Sequence, residues 1–229
     1  MDSIRKQEDK PTREDKSQRV GSFNTRKSLV VGLTGGIATG KTTVARMLKE
    51  LGAVVISADE VVHRLMDPGT EAWHEIVAEF GQGILASDGS IDRKILGEIV
   101  FRNPEKRKRL ESILHPRVIE YLTNEANKFR SEGHGILVLE IPLLVETSTT
   151  KIVDKVLVVT AEQEAQIERL RIRYGIDREA ALLRIKSQLP IAEKIKQAEW
   201  VISTDGTMLG TKEQLQVVWA LLQKSLAQL

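Results

Sequence analysis

The stretch Leu29-Val-Val-Gly-Leu-Thr-Gly-Gly-Ile-Ala-Thr-Gly-Lys-Thr-Thr43 opens apolar, turns through glycines and ends in a lysine and two threonines. Leu29 to Thr34 has the length and character of a buried strand. Lys41 to Leu51 reads as a helix, with Val44, Leu48 and Leu51 on one face and Gly52 as its stop. Between them, Gly35-x-x-x-x-Gly40-Lys41-Thr42 has the spacing of a phosphate-binding loop, in the strand-to-helix setting that such a loop needs. Its glycines let backbone N–H groups turn inward around phosphate oxygens. The helix N-terminus adds free donors and positive dipole. On this reading Gly35, Gly36, Ala38, Thr39, Gly40, Lys41, Thr42 and Thr43 cradle the phosphates of a nucleotide. Lys41 reaches the β- and γ-phosphates, and the Thr42 hydroxyl is offered to Mg2+. The plainer alternative is a glycine-rich turn with an exposed lysine.

Outward from this loop, strands and helices alternate. Ala53–Ile56, Ile136–Leu139, Val156–Val159 and Val201–Ile202 read as further strands. Helices are expected from Asp59 to Met66, Ala161 to Tyr174, Arg178 to Ser187 and Thr211 to Ala227. Residues 70–130 are mostly helical, with a turn at Asp88-Gly89 and boundaries at Asn103-Pro104 and His115-Pro116. The alternation predicts an α/β fold with a central parallel sheet flanked by helices, and 70–130 as an insertion between two strands.

The 229 residues suit one domain with insertions. With 41% hydrophobic and 29% charged residues, collagen-like and wholly disordered classes are excluded. Only 4% are aromatic, so Leu, Ile, Val and Ala must build the core, with Trp73, Trp200 and Trp219 as core or interface residues. The absence of cysteine excludes disulfides, Cys-ligated zinc and a thiol nucleophile. No apolar run is long enough to span a bilayer and no hydrophobic signal core precedes the first strand, so a cytoplasmic protein without membrane partners is expected. Residues 1–27 hold eight Lys/Arg against five Asp/Glu, a net +3, and the rest of the chain carries −1. This segment lacks apolar periodicity and reads as a disordered N-terminal extension, dispensable for activity. Its mixed charges argue against a nucleic-acid arm or a transit peptide.

A phosphate loop alone does not name a reaction. Neither a guanine-reading Asn-Lys-x-Asp nor an Asp-x-x-Gly switch is present. The apolar run Ile136–Leu139 ends in Glu140, not in the Asp usual for larger ATPases. A small-molecule kinase fits better. Gln166, Arg169 and Arg173 fall at i, i+3 and i+7 on one helix face, with Arg184 beyond. Such a face either closes over a transferring phosphoryl group or is a solvated, ion-paired surface. Asp59 follows the second strand, at the sheet edge where α/β folds bind ligands. It is either a base for an acceptor hydroxyl or a helix N-cap. Lys106-Arg-Lys-Arg109 reads as a solvated helix face or a diphosphate-attracting patch.

Taken together, the residues resemble the dephospho-CoA kinase family. The resemblance rests on Val31–Ile37, Gly40–Thr43, Ser57-Ala-Asp59, Asp67-Pro-Gly-Thr70, Phe80-Gly81 and Leu114-His-Pro116. It continues through Ile141-Pro-Leu-Leu144 with Glu146, the Gln166/Arg169/Arg173 face, Ser187-Gln188 and Val201-Ile202 with Gly206. It spans roughly residues 29–210 and implies a P-loop kinase domain over 28–229, with a helical CoA-binding insertion (about 70–130) and a helical lid (about 161–190). The reaction it implies moves the γ-phosphoryl of ATP, with Mg2+, to the 3′-hydroxyl of dephospho-CoA. Lys41, Asp59, Arg169 and Arg173 would then be catalytic, and Asp59, Arg93 and His115 would contact the acceptor, with Thr42 on the metal. His115 has an equal alternative as a structural histidine.

The sequence departs from the family at Ser57, Ala38, Glu199 and Thr204, none of which removes Lys41 or Thr42. Rival readings are a kinase of another small acceptor, a nucleotide-binding regulator without turnover, and a nucleic-acid binder acting through the basic extension. No interface pattern for an oligomer is legible.

Overall fold

In the computed structural model the described residues are 27–229, apart from His134 and Ser148. The extension assigned to residues 1–27 therefore lies outside them, except Lys27. Lys27 accepts from the Gly135 amide through its carbonyl, and its ammonium donates to the Ala227 carbonyl at 2.5 Å.

Five described strands form one sheet: β1 (Ser28–Gly35), β2 (Val54–Ser57), β3 (Gly135–Glu140), β4 (Lys155–Thr160) and β5 (Trp200–Ser203). All pair in parallel in the order β2-β3-β1-β4-β5. The helices are α1 (Lys41–Glu50), α2 (Ala58–Leu65), α3 (Glu71–Phe80), α4 (Arg93–Arg102), α5 (Pro104–Glu132), α6 (Gln163–Tyr174), α7 (Arg178–Lys186), α8 (Ile191–Ile195) and α9 (Met208–Gln228).

Successive strand residues point to opposite sheet faces. Val31 and Leu33 join α1 and α9 through Val44, Leu48, Leu215 and Leu222. Val30 joins the other face with Val118, Leu122 and Leu137. Both faces are covered, as a parallel sheet requires. Trp200 and Trp219 pack against the first layer, and Trp73 packs within the third cluster, formed by α3–α5.

Three expectations change. Leu51 is not on the buried face of α1. It is 37% exposed at the C-cap, where Gly52 at φ 106 turns the chain away. Pro116 is not a boundary, because α5 runs through it. A proline inside a helix costs about 3 kcal/mol or more. Leu114, Val118, Leu122 and Ala126 repeat every four residues along the buried face, and each large apolar side chain contributes about 1.5–3 kcal/mol. In the same turn Arg117 Nη1 donates to the Ile113 carbonyl at 2.7 Å. Finally, α8 has no counterpart in the sequence pattern, since its five residues are too few to show a period.

Candidate active site

The site forms where the carboxyl ends of the central strands meet. β1 lies between β3 and β4, and Leu33 is in register with Glu140. The turn after β1 therefore lies beside the last residue of β3. Gly35 has φ 152, and a Cβ there would meet the Val159 carbonyl at 2.2 Å. Gly40 is left-handed at φ 87 and leads directly into α1. Ala38 is also left-handed, at φ 57, which costs a residue with a Cβ on the order of 1 kcal/mol. Ala38→Gly should therefore raise the melting temperature by about 2 °C, partly offset by the freer unfolded chain. Thermal unfolding followed by circular dichroism checks this, and an unchanged or lower value would show that the loop holds Ala38 without strain.

Lys41 Nζ donates to the carbonyls of Gly35 (3.1 Å) and Gly36 (2.8 Å). Burial, and then the charge of Lys194, lower its pKa to about 8 against the opposing pull of Glu140, Asp59 and Glu146. Thr42 Oγ1 donates to Glu140 Oε1 at 2.8 Å. Burial holds the Glu140 carboxyl above its usual range, while the Thr42 bond and the Lys41 charge pull it down. Thr39 is buried, its hydroxyl donating to the Gly36 carbonyl at 2.9 Å.

Asp59 stands in the first turn of α2, whose N-cap is Ser57, so it is not the N-cap itself. It lines a cavity of about 760 Å³ together with the phosphate loop, Glu140, His115, Arg169 and Arg173. The size suits a small-molecule site. The wall beyond Asp59 is apolar, from Val62, Val118, Ile119 and Leu122.

The two arginines of α6 differ. Arg169 donates to the Ala38 carbonyl (3.1 Å) and to the hydroxyl (3.0 Å) and carbonyl (2.7 Å) of Thr204. It thereby grips the loop. Arg173 lines the cavity with its guanidinium over the Tyr174 ring, 5.3 Å from the centroid. Arg93 is exposed at the start of α4 and does not line this cavity.

The basic run 106–109 is an ion-paired helix face. Lys106 and Arg109 reach Glu79, Lys108 reaches Glu105, and Arg107 reaches Glu111. Glu199 is likewise structural, accepting from the Val156 amide at 2.6 Å. Thr204 belongs to the site: its hydroxyl donates to the Thr39 carbonyl at 2.7 Å while accepting from Arg169. Glu140 and Thr204 were missed as site residues. The signal for Glu140 is an apolar strand ending in a carboxylate, with Glu where larger ATPases carry Asp.

A phosphate loop on the central strand of a parallel sheet, a carboxylate at the end of the neighbouring strand and an arginine-bearing helical pair over the loop define a P-loop kinase acting on a small molecule. A family model described as "Dephospho-CoA kinase" matches residues 29–209. A Bacillus anthracis dephospho-CoA kinase is 46% identical over 191 residues, 83% of this chain and 96% of that protein. Among solved structures, a Thermus thermophilus protein superposes with a TM-score of 0.71 at 34% identity, covering 86% of this chain and 98% of its own. The dephospho-CoA kinase from Campylobacter jejuni superposes at 0.61 and 31% identity, with 85% and 97% covered. The chain belongs to the dephospho-CoA kinase family.

Proposed function

We propose that this chain transfers the γ-phosphoryl of ATP to the 3′-hydroxyl of dephospho-CoA, releasing CoA and ADP. The observation that carries the reading is one continuous cavity running from the phosphate loop, past Asp59, to an apolar wall on α2 and α5. ATP phosphates fit the loop end. The ribose hydroxyl falls to Asp59, and the apolar wall suits the long pantetheine arm. Phosphoryl transfer asks for positioning and charge stabilisation more than for covalent chemistry by the protein. The loop amides and Lys41 hold the β- and γ-phosphates, Asp59 orients the 3′-hydroxyl and accepts its proton, and His115 and Arg93 contact the acceptor. Arg93 is assigned on the resemblance alone. Arg173 lends charge to the transferring group, and Arg169 contributes by holding Ala38 and Thr204. The helices over about 70–130 hold the acceptor and those over about 161–190 serve as the lid, whose packing over the loop excludes water that would otherwise hydrolyse ATP.

The donor set also fits Mg2+, a hard cation that keeps waters and takes one or two carboxylates plus phosphate oxygens. The Thr42 hydroxyl and the Glu140 carboxylate already face each other beside the loop. The cation would supply charge neutralisation at the bridging phosphate oxygens. Glu140→Gln keeps the shape and the acceptor for Thr42 but removes the charge. We expect it to raise the Mg2+ concentration for half-maximal rate by about 10–100-fold, measured by titrating Mg2+ at fixed ATP. An unchanged midpoint would take Glu140 out of the metal shell.

Among the described residues no helix is long and apolar enough to cross a membrane. A cytoplasmic location, with small soluble substrates and neither nucleic-acid nor membrane partners, is part of the same proposal. The deciding experiment follows ADP release from MgATP with and without dephospho-CoA. CoA appearing one-for-one with ADP is the expected result. Turnover with shikimate or a nucleoside, and none with dephospho-CoA, would overturn the acceptor.

A further inference from the structure

Two glutamines, one from α6 and one from just past α7, meet the phosphate loop at Ile37. Gln166 on α6 donates through Nε2 to the Ile37 carbonyl at 2.6 Å. Gln188, just past α7, accepts from the Ile37 N–H through Oε1 at 2.7 Å. The two polar groups of Ile37 are thus held by one glutamine each, from opposite ends of the lid. Ile37 and Ala38 also pack against Ile167, Leu170 and Ala181 of α6 and α7.

Gln166 is buried, 8% exposed, and fixed by α6. Gln188 lies in a connecting turn, which would leave its side chain free to wander. Its neighbour is pinned instead. The Leu189 amide donates to Glu146 Oε1 at 3.3 Å, and the same oxygen takes Lys194 Nζ at 2.7 Å. Lys194, on α8, is wholly buried and also donates to the Pro142 carbonyl at 2.8 Å. Pro142 accepts in turn from Thr34 Oγ1 near the end of β1. A chain of contacts therefore runs from β1, through Pro142, Lys194, Glu146 and Leu189, to Gln188 and back to the loop.

A buried ion pair is a weak device for stability, because apolar residues of similar volume usually do as well. Here it joins the exit of β3 to the exit of the lid. The second oxygen of Glu146 is buried without a hydrogen-bond partner among the described residues.

We propose that Gln188 is a positioning residue that registers the phosphate loop at Ile37, and that the buried Glu146–Lys194 pair holds Gln188 in place. The inference rests on the loop being the ATP site and uses nothing about the acceptor.

The test combines kinetics with residue-resolved amide exchange of the full chain by NMR. Gln188→Met keeps the length and removes the acceptor. It should speed exchange at Ile37 by about tenfold and lower kcat/KM for ATP by about 10–100-fold. Gln188→Glu keeps an acceptor oxygen and should restore Ile37 protection. The pair is tested as a whole with Glu146→Leu/Lys194→Met, since removing one partner strands a buried charge and unfolding would confuse the result. The double variant should melt like the parent yet show the exchange and kinetics of Gln188→Met. Unchanged Ile37 exchange in Gln188→Met would overturn the proposal. Parental exchange and kinetics in the double variant would overturn the role of the pair. Absence of ATP turnover in the parent chain would strike the kinase reading instead and leave the exchange result standing.

Discussion

Lys41→Ala is expected to lower kcat by about a thousandfold while the protein stays folded. The Lys41 ammonium is held at the loop by the Gly35 and Gly36 carbonyls and largely removed from water. A charge in such a place acts through a low effective dielectric, so it is worth more against developing negative charge than the same group in solvent. Burial and Lys194 have already pulled its pKa down to about 8, so part of the solvation cost is met before substrate arrives. ATP can still engage the loop amides when Lys41 is gone, so affinity should fall less than kcat. Lys41→Arg should not rescue the rate, because a planar guanidinium cannot occupy the same point between two carbonyls. The measurement is ADP release at saturating MgATP and dephospho-CoA, with a melting curve beside it. A kcat within tenfold of the parent would remove Lys41 from the transition state.

The loop was legible in the sequence because its chemistry is local. Glycines, a lysine and a threonine at fixed spacing after an apolar strand carry the whole message within fourteen residues of Leu29. Glu140 was not legible as a site residue, because its partner Thr42 lies 98 positions away and the contact depends on β1 pairing with β3. The same holds for Thr204, visible only as a departure from the family pattern. Its bonds to Thr39 and Arg169 span 165 and 35 positions. The shared face of Gln166, Arg169 and Arg173 was predicted from helical spacing, and all three do face the loop or the cavity. What spacing could not say is that one grips Ile37, one grips Ala38 and Thr204, and one lines the cavity. Pro116 shows the opposite limit: a strong local signal for a boundary lost to a row of buried apolar side chains along α5.

Asp59→Asn is expected to lower kcat by about 10²–10⁴-fold with the KM for ATP close to unchanged. The amide has the shape of the carboxylate and can still accept a hydrogen bond, but it cannot take a proton from a ribose hydroxyl. The variant therefore separates proton acceptance from placement. Asp59 also lies in the first turn of α2, where a negative charge is stabilised by the helix dipole. Losing that charge costs about 0.3–1 kcal/mol, too little to unfold the chain. The competing reading makes Asp59 a helix-stabilising residue and nothing more. It predicts a small loss in melting temperature with kcat intact. The catalytic reading predicts the reverse proportion, and it further predicts that ATP binding, governed by the loop and Lys41, survives the substitution. Asp59 lines the cavity beside its apolar wall, and its charge acts on both Lys41 and Glu140. On the proposed reading the incoming hydroxyl meets this carboxylate between the phosphate loop and the apolar wall, so its removal should act on the chemical step and not on the nucleotide.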